Sequence, residues 1–503
     1  MSLKRNILAS YVSQFYVTLS GIVMVPFYIR YMGVEAYGLV GFYAMLQAWF
    51  QLLDMGLTPT MARETARFYG GAIDSLSYRR LVRALEGVFF TLALLGGGVM
   101  LASAGYIAQS WLQTMSLPVS EVKTAVQIIA AIVAMRWMCG LYRGVITGSE
   151  QLVWLGGYNS LIATLRFLFV LLVLIFVGAT PTIFFSYQFG VAVLEMAGLL
   201  FYTYRLLPNI PRGMRLQWSY APIKPVIKFS LTIAFTSSVW VLVTQTDKLV
   251  LSKLLPLAEY GYFTLAVLVA SGVMIIGAPF GTSIMPRMVK LQAQGDHSGL
   301  IRVYRQSTQL VTVIAGAASI TLALFAETLI LAWTGDKHIA SHTAPIVKLY
   351  ALGNGILAVS AFPYYLQYAK GDLRLHLIGN AGFITILVPT IIWAASKHGG
   401  IGAGYVWLIM NIVVFFGWLP FVHHKFAPGI NMKWYIQDVL VIVLLAATAG
   451  YCFSGIMPNN VSRWSQAGMI LGIGLLIMMA GACASTVVWV KVKTGIEQWK
   501  YKR

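Results

Sequence analysis

Apolar residues run along this chain in blocks as long as the roughly 20 that a helix needs to cross a bilayer, with short charged or Gly/Pro-rich breaks between them. Fourteen such blocks centre near residues 18, 46, 93, 134, 164, 193, 240, 270, 317, 357, 384, 411, 445 and 476. They predict an all-α, polytopic membrane protein of about 14 transmembrane helices. The first block follows a basic start, is longer than a signal-peptide core and meets no small-residue cleavage site, so it is expected to remain as the first span. Stretches between blocks reach only about 25 residues, too short for a soluble catalytic domain on the usual domain-size scale. The chain is therefore expected not to be an enzyme.

One break differs from the rest. PNIPRGMRLQWSYAPIKPVIK, residues 208–228, holds four prolines and four Lys/Arg. Proline at that density stops helices and predicts a cytoplasmic linker between two halves. The expected domains are an amino-terminal six-helix lobe at 1–207, the linker at 208–228, a second six-helix lobe at 229–428, and two additional spans with a basic tail at 429–503.

The halves resemble each other. GVEAYGLVGFYAML after the first block answers PLAEYGYFTLAVLV after the seventh, aligning Tyr37-Gly38 with Tyr260-Gly261. TPTMARE likewise answers GTSIMPR, aligning Met61 with Met285 and Arg63 with Arg287. Six spans separate the copies, an even number, so both enter the membrane in the same direction. Parallel repeats of this kind predict lobes related by a pseudo-two-fold along the membrane normal, with a substrate path between them, as in alternating-access transporters.

Composition sharpens this picture. The 503 residues are 58% hydrophobic and 10% charged, and mean hydropathy is +0.76. Lys and Arg total 36 against 16 Asp and Glu, a formal charge of +20. With both termini and the even-numbered loops in the cytoplasm, 26 of the basic residues fall on that side and seven outside. The cytoplasmic set includes Arg79, Arg80, Arg83 and the tail Lys491, Lys493, Lys500, Lys502 and Arg503. This is the positive-inside bias, and it assigns the basic excess to topology and anionic lipid heads rather than nucleic acid. Cys139, Cys452 and Cys483 lie in apolar blocks without metal-site or disulfide spacing and are expected to be core residues; no metal site is expected.

The remaining three basic residues, Arg136, Arg166 and Lys248, fall within spans, where charge is costly and marks function or a buried partner. Arg136, Gly140 and Arg143 share one face of the fourth span, and Asn159 and Arg166 one face of the fifth. At 1.5 Å rise per residue, Arg136 and Arg166 each lie about 3 Å from mid-span. Glu195 is central on the sixth span, and Asp247 with Lys248 lies on the seventh. Two arginines against one carboxylate leave a positive site, and the guanidinium fork matches phosphate oxygens. The candidate ligand residues are Arg136, Arg166, Arg143, Arg30, Asn159 and Lys248, and the ion-coupling candidates are Asp247, Glu195 and Glu327. Gly21 and Pro26 are the candidate gating hinge of the first span.

Blander readings compete. Arg143 can snorkel to the cytoplasmic surface, and Arg136 with Glu195 can be a structural ion pair. Adjacent helical residues point apart, so a mutual Asp247–Lys248 pair is not expected. Glu327 reads as a solvated helix end, Glu86 as an end residue, and His376 as an interfacial group.

The run VPFYIRYMGVEAYGLVGFYAMLQAWFQLLDMGLTPTMARETARFYGG, residues 25–71, resembles the opening of the Wzx-type polysaccharide flippases, a branch of the multidrug/oligosaccharidyl-lipid/polysaccharide exporter superfamily. The matching positions are Arg30, Gly33, Tyr37-Gly38, then Asp54-Met55-Gly56-Leu57 followed by Arg63 and Arg67. The resemblance implies a carrier of an oligosaccharide on a polyprenyl diphosphate, moved to the outer leaflet of the bacterial cytoplasmic membrane for O-antigen or a similar glycan. It also implies a positive amino-terminal lobe, no cofactor with H+ or Na+ coupling left open, and a polysaccharide polymerase and chain-length regulator as partners. The rival readings are a drug/cation antiporter of the same superfamily and a membrane-embedded polysaccharide polymerase or ligase.

Overall fold

The computed structural model describes residues 3–54, 56–209, 221–455 and 462–486. The expected basic tail at 491–503 and most of the expected linker at 208–228 lie outside them. The described chain is helical: α1 (Leu3–Met32), α2 (Val34–Phe50), α3 (Leu57–Tyr69), α4 (Ser75–Tyr106), α5 (Val119–Gly148), α6 (Leu152–Ala163), α7 (Val170–Phe176), α8 (Pro181–Leu206), α9 (Lys224–Leu254), α10 (Leu257–Ala293), α11 (His297–Leu324), α12 (Ala326–Thr334), α13 (Lys337–Ala369), α14 (Arg374–Val413), α15 (Leu419–Phe426), α16 (Asn431–Lys433), α17 (Val441–Ser454) and α18 (Arg463–Ala484). One isolated bridge between Gln113 and Pro256 is the β-type pairing among the described residues.

Eleven helical stretches among the described residues are long and apolar enough to cross a membrane. Arg374–Phe426 bends at Gly399 (φ 58°, ψ −142°) and fills the places of the eleventh and twelfth expected spans. The 17-residue α2 and the 31-residue α9 occupy those of the second and seventh. Local chemistry sets several starts: Asp74 accepts from Ser77 N–H to begin α4, and Thr180 caps α8 with Pro181 in its first turn. Large apolar side chains such as Phe15, Leu95, Val99, Phe176 and Phe201 stand exposed, as lipid-facing surfaces require.

The chain forms two compact units, Met1–Gly261 and Tyr262–Arg503. The first extends past the expected linker because α9 packs on α2 and α3. Within it the two repeat copies meet. A side chain on Gly38 would strike the Leu257 carbonyl oxygen, and one on Gly261 would strike that of Val34, so the paired Tyr-Gly motifs permit close backbone approach. In the second unit α11 packs on α13, α17 and α18. Arg305 on α11 donates to the buried carboxylate of Asp438, Nε to Oδ2 at 2.6 Å and Nη2 to Oδ1 at 2.9 Å, which ties the two additional spans to that unit.

Cys139 is buried, whereas Cys452 and Cys483 are exposed. The expectation of core positions is corrected for those two, because an apolar neighbourhood in a membrane helix does not separate core from lipid-facing positions.

Candidate functional site

Arg136 occupies the middle of α5, and its side chain is 11% exposed. A guanidinium so enclosed needs its donors satisfied. Nε and Nη2 both donate to Oε2 of Glu195 on α8, at 3.1 and 2.8 Å, and Nη1 donates to the Tyr43 hydroxyl at 3.1 Å. Arg143, two turns further along α5, donates through Nη2 to Oε1 of Glu195 at 2.5 Å and through Nη1 to Oδ1 of Asn159 at 2.6 Å. Glu195, 4% exposed, is therefore held between two arginines one heptad apart. The expected ion pair of Arg136 exists, and Arg143 turns inward to join it instead of snorkelling.

Arg166 has no such clamp. Its guanidinium lies 4.8 Å from the Phe167 ring, and among the described residues no carboxylate pairs with it. It sits in a π-helical turn, Thr164–Phe169, that joins α6 to α7. A π-turn shifts the backbone hydrogen-bond register and is stable only where other donors compensate. Here the three consecutive carbonyls are capped from outside: Tyr187 OH donates to Leu165 O at 2.8 Å, Gln188 Nε2 to Arg166 O at 2.9 Å, and Tyr28 OH to Phe167 O at 2.7 Å. Side chains of α1 and α8 thus fix the one turn that presents the uncompensated arginine.

These groups line a cavity of about 480 Å³ inside the first unit, walled by Arg136, Arg143, Asn159, Arg166 and Glu195 with Ser13, Gln14 and Thr18 of α1. Three guanidinium groups face one carboxylate, an excess of two positive charges. Within a recess of the protein such an excess attracts an anion more strongly than the same charges do in bulk water.

The other expected site residues lie elsewhere. Arg30 is exposed at the end of α1, and Glu327 is exposed in the first turn of α12, in the second unit. Lys248 donates through Nζ to Asp247 Oδ1 at 3.1 Å and to Thr244 O at 2.6 Å. The two adjacent residues do pair, contrary to expectation, because the flexible lysine stem curls back along its own helix. Gly21 packs on Phe167, and α1 runs as one helix through Gly21 and Pro26. Glu86 accepts from the Tyr204 hydroxyl at 3.0 Å and lies outside the cavity. Among the described residues no group of three His, Cys, Asp or Glu could hold a metal ion.

Sequence reasoning missed Tyr43, Tyr28, Tyr187 and Gln188. The signal available was SYQ, residues 186–188, a polar triplet inside an apolar span.

The sequence model of the polysaccharide biosynthesis protein family matches residues 3–292, more than half the chain and all of the cavity-lining segments. The protein belongs to that family. The lipid III flippases of Escherichia coli K12 and Shigella flexneri are each 26% identical to it over 141 residues, 28% of this chain and 32% of theirs. The matched segment thus spans about a third of the length of those relatives. A solved structure of the lipid II flippase MurJ in an inward closed conformation superposes with a TM-score of 0.71 at 12% identity, covering 95% of this chain and 98% of that one. An inward-facing multidrug resistance transporter of the MATE family gives a TM-score of 0.64 at 12% identity, over 81% and 94% of the two chains. At such identities the likeness is one of fold, that of a multi-pass membrane transporter.

Proposed function

We propose that this family member is a flippase that carries an oligosaccharide repeat unit on a polyprenyl diphosphate from the cytoplasmic to the outer leaflet of the bacterial inner membrane by alternating access. One observation carries the reading. A cavity in the amino-terminal unit presents an uncompensated arginine, Arg166, beside an arginine–glutamate–arginine clamp.

The excess of two positive charges equals the charge of a diphosphate diester, the linkage that joins a sugar to a polyprenyl carrier. Arg166 receives the diphosphate, Arg136 and Arg143 supply the positive field around it, and Asn159 holds Arg143 in place. The lipid III flippase relatives support a lipid-linked sugar as cargo. An inside-negative potential favours outward movement of two negative charges by about 4 to 5 kcal/mol per 100 mV, so export needs no chemical step and the protein acts without enzymatic turnover. Coupling to H+ or Na+ would fall first on Glu195 and Asp247, both buried within spans of the first unit. The oligosaccharide product implies a polymerase and a chain-length regulator downstream.

A drug/cation antiporter, the reading suggested by the second structural neighbour, requires an acidic cavity. The charge sign here favours an anionic cargo.

The test is substitution. Arg166→Ala and Arg136→Ala, produced at normal abundance, should each abolish or strongly reduce surface glycan. Normal glycan in both variants would refute the assignment.

A further inference from the structure

The cavity has a second wall, and its chemistry differs from the first. Beside the arginines, α1 contributes Gln14 and Thr18, four residues apart and so on one face of the helix. Among the described residues neither side chain has a hydrogen-bond partner. Three neighbouring polar groups of α1 are engaged: Ser10 Oγ donates to Asn6 O at 3.0 Å, Ser13 Oγ to Gly156 O at 2.8 Å, and Tyr16 OH shares a hydrogen with Thr164 Oγ1 at 2.7 Å. Threonines in the spans commonly bond to their own carbonyl four residues back, as Thr91 and Thr164 do. Thr18 does not.

Gln14 is exposed and Thr18 half-buried, and because an unbonded amide or hydroxyl is costly in hydrocarbon, this face of α1 suits water or a ligand. Their level is fixed by the contacts just given. Bonds from Ser13 and Tyr16 to Gly156 and Thr164 place Gln14 beside Asn159 and Thr18 beside the Arg166 turn. The Asn159 amide nitrogen, whose oxygen is taken by Arg143, also has no partner among the described residues. Three uncharged polar groups therefore border the positive patch, Gln14 level with Asn159 and Thr18 about 6 Å further along α1.

We infer that Gln14 and Thr18 form a subsite for the first sugar of the cargo, a specificity element that rests on the diphosphate reading above. A sugar joined to a diphosphate begins one bond away from the phosphate oxygens, so its ring falls within reach of groups bordering Arg166. Gln14 offers a donor and an acceptor side by side, suited to a vicinal diol or an acetamido group, and Thr18 offers a hydroxyl that turns to either role. The amide carries no charge, so this wall adds selectivity without changing the charge balance set by Arg136, Arg143, Arg166 and Glu195. A bare prenyl diphosphate would leave the wall unsatisfied, and a site built to bond a hydroxyl discriminates strongly against a ligand lacking it.

The experiment uses the full chain in lipid nanodiscs and titration calorimetry with three diesters of equal charge: farnesyl diphosphate esterified with methanol, with glucose and with N-acetylglucosamine. The expected result is at least about tenfold tighter binding of one sugar ester than of the methyl ester. In the Gln14→Leu/Thr18→Val double variant that ratio should fall towards one. Binding of the methyl ester by the same preparation shows a folded cavity, and Thr18→Val alone, which keeps the side-chain shape, serves where the double variant does not fold. A ratio near one for both sugars in the unaltered protein, or an unchanged ratio in the variant, overturns the sugar subsite while leaving the anion site standing. No binding of any of the three esters overturns the anion site and the subsite together.

Discussion

Arg136 and Glu195 meet through a two-pronged contact in which Nε and Nη2 of the arginine share one carboxylate oxygen at 3.1 and 2.8 Å. The other oxygen belongs to Arg143. The clamp divides the work of the three arginines: two hold the carboxylate that fixes α8 against α5, and Arg166 alone is unclaimed. Removing one member of a buried pair leaves an uncompensated charge, so Glu195→Ala should cost about 3 to 5 kcal/mol of stability. Replacing the trio together by Met at 136 and 143 and Leu at 195 should restore most of it while leaving transport abolished. Thermal unfolding of the purified proteins, with surface glycan measured alongside, checks both parts.

The π-turn yields a prediction at a residue that lines no part of the cavity. Gln188 caps the Arg166 carbonyl, and Gln188→Leu removes that donor from a buried acceptor, a loss of about 1 to 3 kcal/mol if the turn keeps its shape. Relaxation to an α-helical turn avoids that loss but re-aims Arg166. Glycan export should therefore fall about tenfold or more at unchanged membrane abundance, and Gln188→Glu, which cannot donate when ionised, should not rescue it. Export assays with quantitative immunoblots read this split.

Close approach of the repeat copies is testable at Gly38. A side chain there meets a backbone carbonyl that cannot rotate away, so Gly38→Val should lower stability by about 1 to 3 kcal/mol. Gly98 on α4 has open space at the same distance and serves as the control, with Gly98→Ala expected near neutral. Melting temperatures of the two variants make the comparison.

Outside the membrane, the Lys425 ammonium and the Arg374 amide hold the Asp372 carboxyl below the usual carboxylate range. Because the folded value is lowered, the contact's contribution is complete above the ordinary aspartate value near 3.9 and is lost as pH falls through the lowered one. Asp372→Asn should therefore reduce the melting temperature slightly at pH 7, as an exposed pair allows, and the difference should vanish in acid. Melting curves at neutral and acid pH test the sign.

Much of this was legible in the sequence, for identifiable reasons. Arg136, Arg166 and Glu195 stood out because charge inside an apolar run is rare, and equal spacing from the loops placed them at one depth. The spans followed from length and hydropathy, including the two centred near 384 and 411, which the structure joins in one helical stretch bent at Gly399. The π-turn was invisible because a shift of hydrogen-bond register leaves composition and periodicity unchanged. The Asp247–Lys248 pair was misread because Cα–Cβ directions were considered without the reach of the lysine stem. Arg30, which matches the family motif, and Glu327, which also reads as a solvated helix end, are both exposed, so a charge near a span end says little about the cavity.

The most direct measurement compares a strain lacking this gene with the same strain carrying the unaltered or the Arg166→Gln protein, reading polyprenyl-diphosphate lipids by mass spectrometry and surface polysaccharide by gel. The account predicts lost surface glycan and accumulated lipid-linked repeat units in the deletion, reversal by the unaltered protein, and no reversal by an equally abundant Arg166→Gln. Unchanged lipids and glycan in the deletion, in cells that normally express the gene, would contradict it.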